Sequence, residues 1–219
     1  MFDFSGTLFG RPCGYSWLFE GEVAGVLADE TQRAVVGALR SPARYVASMN
    51  NLERDDWLHR DLSDERNRKA YCALFRLAGL TDERTFAVIF DRLGKAQFWI
   101  PYDDTPPALE RLHRSGLPIG VLSNITWDIR EAFVREGLDS MVESYVLSYE
   151  VARCKPDPEI FRIACARLGV LPQRCLLVGD DTVSDGAAVR AGLSFAHVVT
   201  GPVGERPPVL LRALAENGL

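Results

Sequence analysis

The chain has 219 residues, 47% of them hydrophobic, and carries a formal net charge of −5. That length holds one large domain, or one domain with an insertion, and the apolar content excludes a disordered chain. The mild acidity speaks against nucleic acid or an anionic membrane surface as partner, since both recruit basic faces.

Five cysteines form no CxxC pair and histidine is scarce, at three residues. Reduced thiols of a cytoplasmic protein are therefore expected, not a disulfide frame or a zinc site. No basic segment followed by an apolar stretch opens the chain, and no apolar run is long enough to cross a bilayer. Neither a leader nor a membrane span is expected.

In chain order, the first element is a strand near residue 2 that ends at Asp3 and runs into Ser5-Gly6-Thr7. Strands usually extend about 5–6 residues, so the natural start is expected upstream of Met1. From 11 to 100 the pattern is helical, at 22–29, 32–39, 55–77 and 82–93. This block reads as an insertion that covers one end of a sheet.

From 101 onward, short apolar runs alternate with amphipathic stretches. Strands are expected at 118–122, 144–148, 175–178 and 195–199. Helices are expected at 106–115, 128–136, 158–168 and 184–191, with a last one at 209–217. Asp104-Thr105-Pro106 has the form of a helix cap followed by proline in the first turn. Gly116, Gly169 and Gly192 stand where helices stop. Strands alternating with helices imply an α/β fold, a parallel sheet with helices on both faces.

Chemistry in such sheets gathers at the carboxyl ends of the strands. Asp3 and Ser5 follow the first strand and Ser123 ends another. Lys155 precedes a helix, and Asp180, Asp181 and Asp185 follow the run Leu176-Leu177-Val178. Taken singly, each is a turn former or a solvated charge. Together they form a coherent set: carboxylates hold a hard divalent cation such as magnesium, a hydroxyl and an ammonium hold phosphoryl oxygens, and a free carboxylate attacks phosphorus.

Asp3-Phe4-Ser5-Gly6-Thr7-Leu8, Val121-Leu122-Ser123-Asn124, Lys155-Pro156-Asp157 and Val178-Gly179-Asp180-Asp181 with Asp185 occur in this order. They resemble the four motifs of the haloacid dehalogenase-like (HAD) hydrolase superfamily, in the subfamily whose helical cap lies between the first and second motifs. The resemblance implies a three-layer Rossmannoid core, residues 1–10 and 101–219, and an inserted all-helical cap, residues 11–100. It implies a magnesium-dependent hydrolase, a phosphatase of a small phosphorylated metabolite. Asp3 would be the nucleophile and form an aspartyl intermediate. Ser123 would bind the phosphoryl group, and Lys155 would steady both. Asp3, the carbonyl of Ser5 and Asp180 would hold Mg2+, with Asp181 and Asp185 as ligands or support. Gly6, Thr7 and Asn124 would border the substrate. Arg11 and Trp17 follow the first motif, where substrate contacts are expected; their simpler readings are a solvated arginine and a core tryptophan.

Ser5 departs from the pattern. Most phosphatases of the superfamily carry aspartate there as general acid, and a serine hydroxyl is too weak an acid for that work near neutral pH. Acid–base help is worth about 10²–10⁴-fold. A substrate with a good leaving group, such as an acyl phosphate, a phosphoramidate or a pyrophosphate, needs it least. Serine there also resembles the phospholysine phosphohistidine inorganic pyrophosphate phosphatases, whose cap lies elsewhere. A 2-haloacid dehalogenase-like hydrolase is the alternative chemistry, although the family's dehalogenases lack the magnesium acids retained here. Phosphonoacetaldehyde hydrolases need a cap lysine, and Lys69 and Lys95 in the insertion read as solvated. A pseudo-phosphatase with a binding role is the non-enzymatic alternative.

Overall fold

The computed structural model describes residues 1–219. It divides into two compact units, Gly14–Phe98 and a second formed from both ends of the chain, Met1–Cys13 with Trp99–Leu219. All five cysteines are free. No helix is long and apolar enough to cross a membrane.

The unit Gly14–Phe98 contains helices α1 (Asp29–Arg40), α2 (Ala43–Val46), α3 (Asn51–Leu58), α4 (Asp64–Leu77) and α5 (Glu83–Gly94). Two expectations are corrected. The helix at 22–29 does not form; only a 3-10 turn, Gly21–Val23, is present. Gly25, inside that stretch, takes φ of +71°, a left-handed backbone that a right-handed helix does not pass through. The single helix at 55–77 is two. Asn50 and Glu53 form a reciprocal capping box that starts α3, and Ser63, extended at φ −158°, starts α4 by accepting from Arg66 N. Both are side chains that satisfy otherwise unpaired amides of a first turn. The unit buries Leu18, Val35, Leu74, Phe75 and Ile89 completely. Arg92 ties α5 to the segment before α1 by donating to the carbonyls of Trp17, Leu18 and Glu20.

In the second unit a short antiparallel pair joins β1 (Phe9–Gly10) to β2 (Ile100–Pro101); the sequence pattern shows neither, since each is two residues long. The parallel sheet comprises β3 (Gly120–Ser123), β4 (Ser144–Leu147), β5 (Leu176–Gly179) and β6 (Ser194–His197). β3 pairs with β4, and β5 with β6. The expected strand near residue 2 is reduced to Phe2, which bridges Val121 and Val178 in parallel. Phe2 N donates to Gly120 O, Leu122 N to Phe2 O, Asp3 N to Val178 O and Val178 N to Met1 O, all at 2.9–3.0 Å. Residues Met1–Asp3 therefore fill the middle of the order β4–β3–N-terminal segment–β5–β6.

Around this sheet lie α6 (Thr105–Arg114), α7 (Arg130–Arg135), α8 (Ser148–Val151), α9 (Pro158–Arg167) and α10 (Val209–Glu216). Leu122, Val146 and Leu177 on one face cluster with Ile160, Phe161 and Ala164 of α9 and with Ala187 and Ala188. The neighbouring Val178 and Phe2 face the other way by strand alternation and share a cavity wall with Leu112 of α6 and Leu214 of α10. The expected helix at 184–191 is a 3-10 turn, Gly186–Ala191. Asp104 does not cap α6. Its carboxylate is taken by Arg206 at 2.6 Å and by Leu210 N at 2.7 Å, so a long-range charged partner outcompetes the local cap.

Candidate active site

Asp3, Ser123 and Asp180 each stand at or just past the carboxyl end of a paired strand segment. Lys155 lies in the turn before α9, whose first residue Pro158 is preceded by the capping Asp157. The turn is held by Asn124. Its Nδ2 donates to Lys155 O at 2.8 Å and its Oδ1 accepts from Lys155 N at 2.8 Å. Both ends of the Asn124 amide are thus spent on the backbone of one residue.

Lys155 Nζ lies 2.6 Å from Asp3 Oδ1, 2.5 Å from Asp185 Oδ1 and 3.2 Å from Leu122 O. Three acceptors match the three hydrogens of an ammonium. The second oxygen of Asp185 accepts from Asp181 N at 3.1 Å. Lys155, Asp3 and Asp185 are 5%, 6% and 1% exposed, so the ion pairs sit out of water, where an unpaired charge is costly.

Asp3, Asp180 and Asp185 each offer a carboxylate oxygen within 4.8 Å of the others. Three carboxylates face one ammonium, so with all three ionised the group carries two negative charges in excess. Burial, with the repulsion of Asp185 and Asp180, pushes Asp3 up to about 7 against the opposing pull of Lys155. Burial raises Asp180 as well. For Lys155, burial alone favours the neutral amine; Asp3 and Asp185 overcome it and hold its pKa above the ordinary value. Oxygen-only donors carrying excess negative charge suit a hard divalent cation.

The loop after Asp3 packs against Asp180. Thr7 is fully buried, and its hydroxyl donates to Asp180 Oδ1 at 3.2 Å. Gly6 has φ +80°, and a Cβ there would lie 2.5 Å from Asp180 Oδ2. Glycine is required both for the left-handed backbone and for the close approach. His197 Nε2 is 3.1 Å from the backbone oxygen of Asp180.

Residues 1–192 match the family model of the haloacid dehalogenase-like hydrolases. The chain belongs to this family. Glyceraldehyde 3-phosphate phosphatase of Methanopyrus kandleri is 28% identical over 69% of this chain and 73% of its own. (S)-2-haloacid dehalogenase 4A of Burkholderia cepacia is 30% identical, but over 44% of this chain and 42% of its own. Among solved structures, a HAD phosphatase from Thermococcus onnurineus superposes with a TM-score of 0.57 over 99% of this chain and 96% of that one, at 20% identity.

The remaining residues singled out in the sequence of this haloacid dehalogenase-like hydrolase are placed as follows. Ser123 is buried at the end of β3, and Ser5 is exposed. Asp181 is exposed, and its Oδ1 accepts from Val183 N at 2.7 Å and Ser184 N at 2.9 Å; it lies outside the carboxylate group that Asp185 joins. The Arg11 guanidinium lies 3.7 Å from the centroid of the Trp99 ring. Trp17 is buried in the helical unit and stacks on Phe98 at 4.5 Å. Sequence reasoning missed the use of the Asn124 amide and the whole of the Asp104–Arg206 pair. No local pattern carries the second, because 102 residues separate its members.

Proposed function

We propose that this hydrolase is a magnesium-dependent phosphatase of a small phosphorylated substrate, acting through a phosphoryl group held on Asp3. The observation that carries the reading is the group in which three carboxylates, Asp3, Asp180 and Asp185, gather around a single ammonium, Lys155. Chemistry on an anionic substrate needs those charges offset, and a divalent cation offsets them. A phosphatase among relatives that align along most of both chains supports the same reading.

Mg2+ would be held by Asp3, Asp180 and Asp185, with the Ser5 carbonyl as the family's further donor; when bound it supplies positive charge to phosphoryl oxygens. Lys155 occupies Oδ1 of Asp3 and leaves Oδ2 to attack. Oδ2 forms a bond to phosphorus as the bond from phosphorus to the leaving oxygen breaks, and the electron pair departs with the leaving group. Water then attacks phosphorus, the Asp3–phosphorus bond breaks, and inorganic phosphate and the free carboxylate result. Ser123 holds a phosphoryl oxygen, and Lys155, fixed between Asp3, Asp185 and Leu122 O, steadies the nucleophile and offsets the phosphoryl charge. In the same reading the helical unit is the cap and the enzyme works in the cytoplasm.

Residue 5 has no proton to give at neutral pH, so the leaving group departs unassisted. Acyl phosphates, phosphoramidates and pyrophosphates are the substrate class. The test is phosphate release from acetyl phosphate, para-nitrophenyl phosphate and a sugar phosphate, in magnesium and in EDTA. Magnesium-dependent release, fastest from acetyl phosphate, is expected. Halide release from a 2-haloacid in EDTA, with no phosphate from any substrate, would move the reading to dehalogenation, which a dehalogenase relative also keeps in view.

A further inference from the structure

We infer that Arg206 is a positioning residue for Asp180, acting through the loop that follows Asp3; the inference rests on the metal-dependent reading above. Arg206 lies beyond residues 1–192 matched by the family model. Its side chain is 1% exposed and pairs with Asp104 at 2.6 Å. Its Nη1 donates to Thr7 O at 2.9 Å and to Gly6 O at 3.3 Å. The guanidinium carbon sits 3.5 Å from the centroid of the Tyr102 ring.

The forked guanidinium therefore does two jobs that a point charge cannot share. One nitrogen is neutralised by Asp104, and the other bridges two consecutive carbonyls. The next carbonyl, Leu8 O, takes Thr105 Oγ1 at 2.7 Å and Tyr102 N at 3.0 Å. The carbonyls of residues 6–8 are thus all held, and the Thr7 hydroxyl reaches Asp180. Asp104 is fixed in turn by Leu210 N. The loop, the start of α6 and the start of α10 meet in one polar junction.

A buried ion pair is a poor device for stability alone, because well-packed apolar residues of the same volume serve as well or better. Arg206 also keeps one buried donor, Nε, without a partner. What the junction secures is direction. With Gly6 O and Thr7 O fixed, the backbone that carries the Thr7 hydroxyl is set within reach of Asp180 Oδ1. Groups that orient a metal ligand are typically worth about 10–100-fold in metal affinity.

The experiment titrates Mn2+ into wild type, Thr7→Val, Arg206→Met and the double variant by electron paramagnetic resonance, with unfolding temperatures measured alongside. Mn2+ is the probe because it suits an oxygen site. Each single variant is expected to bind Mn2+ at least about tenfold more weakly. The double variant is expected to bind no more weakly than the worse single, since both act on Asp180 through one path. A lowered unfolding temperature with unchanged Mn2+ affinity in Arg206→Met overturns the inference, as do effects that multiply. Should Arg206→Met not fold, Arg206→Lys keeps the charge beside Asp104 and loses the fork; wild-type Mn2+ affinity in that variant overturns the inference too. Failure of the wild type itself to bind Mn2+ is a different result: it removes the metal-dependent reading and this inference with it.

Discussion

The ammonium of Lys155 lies 2.6 Å from Oδ1 of Asp3, with both side chains shut away from water. Lys155 also touches Asp185 at 2.5 Å, so one cation stands between two buried carboxylates. Removing it strands both. Lys155→Met is expected to destabilise the metal-free protein by about 3–5 kcal/mol, the usual penalty for an uncompensated buried charge. Urea unfolding in EDTA measures this, and added Mg2+ is expected to recover part of the loss. Unchanged stability would mean that the carboxylates are not ionised against it.

The pH dependence of the metal-free protein has a definite sign. Asp3 is raised to about 7 in the folded state by burial and its carboxylate neighbours, above the ordinary carboxylate value of about 4. A raised carboxylate contributes stability that is complete below its unfolded pKa and is lost as pH rises through the folded one. In EDTA the unfolding temperature is therefore expected to fall from pH 5 to pH 8 through this group. Mg2+ competes with that proton, so its stabilising effect is expected to be larger at pH 8 than at pH 6. Thermal unfolding over this range, with and without Mg2+, checks both slopes.

Ser5 is exposed, so a longer side chain there meets no core. Ser5→Asp is expected to raise turnover of a sugar phosphate by up to about 10²–10⁴-fold, the range of general acid–base help. Acetyl phosphate turnover is expected to change little, because its leaving group needs no proton. Parallel steady-state assays on the two substrates distinguish this from a uniform gain.

Gly6→Ala combines two faults. The backbone is left-handed, which costs an L-residue roughly 1–2 kcal/mol, and the new methyl would lie 2.5 Å from Asp180 Oδ2. Asp180 must move, so Mg2+ affinity is expected to fall along with stability. Calorimetric titration of Mg2+ at a temperature where the variant is folded separates the two effects.

Much of the core was legible because its signals are local. β3 and β5 are short apolar runs, and α6 and α9 are amphipathic with Pro at their first turns. Asp3, Ser123 and Asp180 are legible as strand-end residues and Lys155 as a residue just before a helix, and of these the structure brings Lys155 to Asp3 and Asp3 to Asp180. The rest depended on information that neighbouring residues do not hold. Asp181 and Asp185 look equivalent in sequence, yet the turn after β5 gives Asp181 to the amides of Val183 and Ser184 and turns Asp185 toward Lys155. Asp104 has the form of a cap and is claimed by Arg206. The helix expected at 22–29 does not form because Gly25 within it adopts a positive φ, which periodicity does not register.

The measurement that bears most directly on the role of Asp3 is an acid quench of the enzyme turning over acetyl phosphate in Mg2+, followed by mass spectrometry of the N-terminal peptide. A phosphoryl group on Asp3, absent in EDTA and in Asp3→Asn, is the expected result. Steady phosphate release with an unmodified Asp3, or undiminished release by Asp3→Asn, would contradict it.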